Sequence, residues 1–393
     1  MTRRDSASSL PSPSLPSPDD AIAQDPRLAT LREWLAGLAD RHALRVDSIR
    51  PASNDASFRR YFRIDTAEDT GVDAASGSVI AMDAPPPQED CRPFVHAAEV
   101  FAAAGLRVPA VLESDLQRGF LLLEDFGGET LLDRLGRSDP PDDAQVERLY
   151  RGATRALIGM QAASRPGVFP DYDRALLERE LMLYPDWYLA RHRGVELTDA
   201  DRSALRAAFD ALLANNLGQA RVFVHRDYHS RNLMVLPGSG RAPAADRSAA
   251  SPAETGDDAP APGVLDFQDA VYGPITYDLV SLLRDAYVSW PADRQIDWAI
   301  RWWETARGRG LPVPDDFGEF WRDFEWMGLQ RHLKVLGIFA RLHHRDGKDR
   351  YLADMPRVLA SAIEVAGRYD AFGGLARLID RVENRALRAG YTF

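Results

Sequence analysis

Two short runs hold the residues of this chain whose types and spacing could do chemistry. They are His225-Arg226-Asp227-Tyr228-His229-Ser230-Arg231-Asn232 and, further on, Leu265-Asp266-Phe267. Moving a phosphoryl group asks little covalent work of a protein. It needs a carboxylate to orient a hydroxyl and accept its proton, and hard oxygen ligands to hold Mg2+ against nucleotide phosphates. Asp227 is spaced for the first task and is the candidate catalytic base. Asn232 and Asp266 are spaced for the second and are the candidate metal ligands. An isolated aspartate beside a short strand is ordinarily a turn residue; the amide five positions on and the later carboxylate set Asp227 apart. His225 and Arg226 read as residues that orient the loop. His229 reads first as a loop histidine and second as a contact to substrate or phosphate. Asp269 is open between a solvated loop position and a further metal contact.

The elements that must position these residues follow from periodicity. A helical face begins near Asp25, with Leu28, Leu31, Trp34, Leu35 and Leu38. Strand-like segments follow at 57–65 and Ser78–Asp83, joined by a polar hairpin loop over 66–77, and Pro85, Pro86 and Pro87 stop the second of them. A helix is expected over 92–104, strands over 108–112 and Phe120–Glu124, and a flexible connection at Gly127-Gly128. Helices are then expected over 144–163, 174–192 and 199–217. Short strands at 222–224 and 233–236 flank the first run, another at 264–265 leads into Asp266, and the chain after Asp278 is mostly helical. The expected class is α+β. A disordered Ser/Pro-rich tail occupies 1–25 and a small β-rich N-terminal nucleotide-binding lobe 26–126. A larger helical catalytic and substrate lobe occupies 127–393, with a disordered insertion at 237–262.

At 393 residues the chain is long enough for two lobes, and a net charge of -11 argues against nucleic acid as a partner. Cys91 is the sole cysteine, which removes intramolecular disulfides and cysteine-rich metal sites and fits a reducing cytoplasm. Apolar stretches are broken by charges before membrane-spanning length, so the expectation is a cytoplasmic protein with no membrane contact.

HRDYHSRN, LDFQDA and GPITYDL together resemble the aminoglycoside phosphotransferase family of small-molecule kinases, and the resemblance spans most of residues 27–370. It implies a protein-kinase-like two-lobe fold with ATP in the cleft between lobes. SNDASFRRYFRI, MDAPPPQEDCRPF, LLLEDFG, LMLYPDWY and LQRHLKVLGIFARLHHRDGKDRYLADMPR resemble one bacterial branch of that family. These are the anomeric kinases of N-acetylmuramate and N-acetylglucosamine in peptidoglycan recycling. That branch implies a sugar 1-phosphate product, handed to a uridylyltransferase on the way to UDP-N-acetylmuramate. An aminoglycoside or other small-molecule hydroxyl kinase, and a nucleotide-binding pseudokinase, are the alternatives.

The chain departs from the protein-kinase pattern in two places. Gln268 stands where DFG has glycine, and no lysine precedes Lys334, so the phosphate-binding lysine of the third strand is missing. Arg59 or Arg60, held by Glu99, is expected to take its place. Phe120-Leu-Leu-Leu-Glu-Asp-Phe-Gly resembles a hinge, in which Leu123 packs on adenine and the backbone from Glu124 to Phe126 reads its edge. Asp278 would cap a helix or hold the HRD loop from below. On the substrate side, Glu178, Glu180 and Asp186 would suit a polycationic acceptor. Arg179, Arg331 or His332 would suit the lactyl carboxylate of N-acetylmuramate, and Trp187 or Tyr188 could stack on a sugar ring. Sequence does not choose among them, nor does it reveal the oligomeric state.

Overall fold

The computed structural model describes residues 25–53, 58–67, 77–86, 88–236 and 259–384. Residues 1–24 of the Ser/Pro-rich tail, most of the 66–77 loop, Pro87 and residues 237–258 of the expected insertion lie outside them. By contacts the chain forms two compact units, one of residues 1–90 with Leu112–Asp125 and one of Cys91–Val111 with Phe126–Phe393.

In the first unit, helix α1 (Pro26–Ala36) starts where proline and an N-cap permit it. The Asp25 carboxylate accepts the N–H groups of Arg27 and Leu28, and Pro26 sits in the first turn, where no donor is missed. Its buried face, Leu28, Leu31 and Leu35, packs on Phe62, Ile64, Val79, Ala81, Phe120 and Leu122 of the sheet. Each such leucine contributes about 1.5–3 kcal/mol. The sheet contains β1 (Arg50–Ser53), β2 (Arg60–Asp65), β3 (Ser78–Asp83), β4 (Val111–Asp115) and β5 (Phe120–Glu124), in the order β1-β2-β3-β5-β4. Strand β4 begins at Val111 instead of 108. Pro109 has no N–H to give a ladder, and β1 was not foreseen at all.

In the second unit, helix α2 (Arg92–Ala103) clusters with the C-terminal residues although it falls within the 26–126 expected for the N-terminal lobe. The reason is aromatic. Phe94 lies 4.7 Å from Phe267, and Phe101 stacks on His225 at 6.3 Å, ring centroid to centroid. Helices α3 (Asp143–Ala162), α4 (Arg174–Leu181) and α5 (Asp199–Gly218) follow. The end of the expected 174–192 helix is a π-helical segment, Tyr184–His192, entered at Pro185. Two small ribbons pair β6 (Arg221–Val224) with β9 (Val271–Pro274), and β7 (Leu233–Met234) with β8 (Gly263–Val264). Helix α6 (Tyr277–Leu283) is buried along its whole length. Helix α7 (Ala292–Gly308) precedes the 30-residue α8 (Phe317–Asp346), which is buried over most of its middle. Helices α9 (Met355–Arg368) and α10 (Gly373–Val382) close the unit. Among the described residues no helix is long and apolar enough to cross a membrane.

Candidate active site

The loop from His225 to Asn232 leaves β6 and is clamped by two buried carboxylates. Asp278 accepts the N–H groups of His225 and Arg226 at 2.6 and 3.0 Å, so it holds the loop from below as well as opening α6. Asp285, seven residues on, accepts the N–H of Ser230 at 2.8 Å. No sequence reading singled out Asp285; its spacing from Asp278 was the available signal. His225 is neutral: burial drives its imidazole down to about 4. Its Nε2 lies 3.0 Å from the Leu265 carbonyl and its Nδ1 accepts the Asp227 N–H at 3.2 Å, which fixes the tautomer. Arg226 (φ 77°) and Asp266 (φ 63°) occupy the left-handed region that non-glycine residues rarely adopt. Such strain, of order 1–3 kcal/mol, gathers where function over-determines the backbone.

The side chains assembled on this scaffold carry opposing charge. Asp227 is 40% exposed, with the Arg331 guanidinium 3.8 Å away and the His229 Nε2 3.9 Å away. Burial would raise its carboxyl, but Lys334, Arg331, His229 and Arg226 outweigh burial and hold it well below the usual carboxylate range. It is a permanent anion at neutral pH. Behind it lies a second carboxylate, Glu180, whose Oε1 takes Arg226 at 2.5 Å and Lys334 at 2.9 Å, while its Oε2 accepts from Tyr172. Lys334 also donates to the Tyr277 hydroxyl at 2.9 Å, and Arg331 donates to the Arg226 carbonyl at 3.0 Å.

Asn232 and Asp266 come together: the Asn232 amide nitrogen donates to the Asp227 carbonyl at 3.0 Å and to Asp266 Oδ2 at 3.2 Å. Gln268, in place of the DFG glycine, donates to Asp266 Oδ1 at 2.8 Å and leaves its own Oε1 buried without a partner. This donor set is one of hard oxygens. Among the described residues no three His, Cys, Asp or Glu side chains group to cage a metal by themselves. Two protein oxygens with the remainder from phosphate and water are what Mg2+ takes, so the residues fit that ion.

The other expected contacts are distributed differently. Arg60 is engaged by Asp83 at 2.5 Å and by Asp25, and Arg27 shares the same buried Asp83. Arg59 pairs with Glu89 at 3.1 Å, whereas Glu99 lies exposed on α2. Leu123 is buried on β5 opposite Ile80, with Glu124 opposite Val79. Phe126 lies under the Arg107 guanidinium at 4.8 Å, and a Cβ on Gly263 would meet its ring at 2.5 Å. Glu180, expected at a substrate, is turned inward as described. His332 is bound to the Arg284 carbonyl at 3.1 Å and held neutral by burial. Trp187 is half-buried beneath Arg191, and Tyr188 is buried with its hydroxyl on Glu383. Arg179 is exposed. Sequence reasoning noted Lys334 as the first lysine of the chain but gave it no role. Its three-residue spacing from Arg331 on one helix was the signal available.

Residues 48–243 and 255–320 match the model of the phosphotransferase enzyme family. Over 307 residues the chain is 49% identical to the N-acetylmuramate/N-acetylglucosamine kinase of Pseudomonas aeruginosa, covering 78% of this chain and 80% of that one. Over 368 residues it is 43% identical to the enzyme of the same name from Neisseria meningitidis serogroup B, covering 93% and 99%. Among solved structures it superposes on a choline kinase from Cryptosporidium parvum with a TM-score of 0.55 at 10% identity, over 88% of this chain and 98% of that one. It also superposes on the GDP complex of wild-type aminoglycoside 2'-phosphotransferase-IIIa with a TM-score of 0.53 at 15% identity, over 86% and 99%. At such identities the structures speak to the fold alone, which is protein-kinase-like.

Proposed function

The chain belongs to the phosphotransferase enzyme family and is a kinase acting on a hydroxyl group, and from that premise we propose that its acceptors are N-acetylmuramate and N-acetylglucosamine, phosphorylated by ATP at the anomeric (C1) hydroxyl. The observation that carries this reading is Asp227, ionised within a cage of cations beside Asn232 and Asp266, in a chain 49% identical to a kinase named for those two sugars.

In this reading Asp227 orients the C1 hydroxyl and takes its proton as the sugar oxygen bonds to the γ-phosphorus and ADP departs. So weak a base suffices because an anomeric hydroxyl is more acidic than an ordinary alcohol and the transition state is loose. Asn232 and Asp266 would hold Mg2+, which when bound neutralises charge on the phosphate oxygens. Arg331 and Lys334 keep Asp227 ionised, and Asp278 and Asp285 fix the loop on which it rides. Arg59, partnered by Glu89, takes the phosphate-binding role of the missing lysine, and Arg60 a structural one. Leu123, Glu124 and Phe126 keep their assignment to adenine. The product, a sugar 1-phosphate, would feed a uridylyltransferase in peptidoglycan recycling.

The test is incubation with each sugar, ATP and Mg2+, with the phosphate position read by phosphorus NMR. A sugar 1-phosphate is expected. A 6-phosphate, or no phosphosugar, overturns the anomeric assignment.

A further inference from the structure

N-acetylmuramate differs from N-acetylglucosamine by a lactyl ether on C3 that carries a carboxylate, so a kinase accepting both must meet that anion without requiring it. Resting on the sugar reading above, we propose that Arg231 is the residue that binds this carboxylate. Arg231 lies on the catalytic loop, four residues after Asp227 and next to Asn232. Its guanidinium sits 4.3 Å over the ring of Tyr287 and 5.5 Å from that of Tyr351, two tyrosines backed by Phe339. Stacking uses the face of a guanidinium and leaves its edge donors for a planar anion. No carboxylate among the described residues pairs with those donors.

The buried cations of this region are committed: Arg226 and Lys334 are bound to Glu180, and Arg331 to the Arg226 carbonyl and Tyr277. The exposed Arg350 lies over the outer tyrosine, Tyr351, and donates to its hydroxyl. Arg231 is also within reach of one sugar from the base. Asp227 is 3.9 Å from His229, and the ring of His229 lies 5.4 Å from that of Tyr287, on which Arg231 stacks. His229 supplies an independent sign of a missing ligand group: it is buried, yet its Nδ1 has no partner. An arginine held over aromatic rings and paired with no carboxylate among the described residues can serve as a bidentate carboxylate receptor.

The experiment compares kcat/KM for the two sugars in the wild type, Arg231→Ala and Arg231→Lys. The expected result for Arg231→Ala is that the N-acetylmuramate to N-acetylglucosamine ratio falls about tenfold to a hundredfold, chiefly through the KM for N-acetylmuramate, the loss typical of a charge-assisted pair. Arg231→Lys should recover part of it, since lysine keeps the charge and loses the fork. A second measurement needs no variant: the wild type should discriminate against the neutral amide of N-acetylmuramate by a similar factor. An unchanged ratio in Arg231→Ala, or equal use of the acid and its amide, overturns the assignment of Arg231. A wild type that phosphorylates neither sugar overturns the sugar reading itself, and Arg231 with it.

Discussion

The two compact units use the same residue types to opposite ends. Among the described residues of the first unit, three arginines meet three aspartates. Arg27 and Arg60 face Asp25 and Asp83, and Arg63 faces Asp125, which also accepts from Ser78. In the second, Arg226, Arg331 and Lys334 make their ion pairs with Glu180 and Asp227, the buried Asp278 and Asp285 lie close enough to act on Arg331, and Arg231 pairs with no carboxylate among the described residues. A balanced set pins a helix end to strand edges. A partly buried arginine left without a carboxylate is costly through desolvation, so Arg231 belongs where an anion is to arrive. Charge balance, more than the presence of charge, separates the structural arginines from the functional ones.

The comparison breaks or holds most visibly at Asp227. Asp227→Asn is expected to lower kcat by about 10²–10⁴-fold, the range for a positioned acid–base group, with the native circular dichroism spectrum retained. A variant that turns over normally would show that the cationic cage has another purpose.

Next in size are Glu180 and Asp83, the buried carboxylates at the centre of each set. Glu180→Ala strands two buried cations and should destabilise by about 3–5 kcal/mol in chemical denaturation. It should also lower kcat beyond the loss of folded protein, because Arg226 belongs to the catalytic loop. Asp83→Ala leaves Arg60 with Asp25 and Arg27 with the Arg118 carbonyl, both partly exposed, so about 1–3 kcal/mol is expected. Its folded fraction should turn over at near the normal rate. Equal loss of kcat in the two variants would erase the distinction between units.

How legible each set was in the sequence follows from how it is built. Asp227, Asn232 and the Asp266 run are local or lie on adjacent short strands, so type and spacing exposed them. The same locality exposed β3, β5 and the start of α1. The cage around Asp227 is assembled from α4, α6 and α8, and Glu180 stands 154 positions from its partner Lys334 in the numbering. Helical periodicity says that much of α8 is buried; it does not say which cation turns toward which carboxylate. Arg60 read as a candidate phosphate contact held by Glu99 because its partner Asp25 is an N-cap on another element. The π-helical turn at Tyr184–His192 keeps a helical pattern and was invisible for that reason.

A pH experiment sharpens the comparison at the loop clamp. Burial raises the Asp278 carboxyl from 3.8 to about 7, against the two N–H bonds it accepts. Native protein therefore holds a proton that the unfolded chain releases. The contribution to stability is fully present below about 4 and is lost as pH rises to about 7, by about 4 kcal/mol. Activity should run the other way, because the carboxylate accepts with both oxygens and the neutral acid must turn one into a donor. Denaturation midpoints should rise and kcat/KM fall as pH drops from 8 to 6, and Asp278→Asn should flatten both. Asp227, held below the usual carboxylate range, stays ionised throughout that window. Stability and activity moving together would take Asp278 out of control of the loop.

The smallest expected effect tests the comparison inside the first unit, where one arginine is assigned to function among structural neighbours. Arg59 and Arg60 are adjacent, and both are paired. Arg60 joins two aspartates at the head of β2, one of them fully buried, so Arg60→Ala should lower stability by about 1–3 kcal/mol and leave the KM for ATP within about threefold. Arg59 pairs with Glu89 and both side chains are mostly buried, the arrangement of a cation steadied by a glutamate and still able to take a phosphate. Arg59→Ala should raise the KM for ATP about tenfold, the loss of one charge-assisted contact. If Arg60→Ala gives the larger rise instead, local charge balance is the wrong criterion, since a fully compensated arginine would then be the one that exchanges its aspartates for nucleotide.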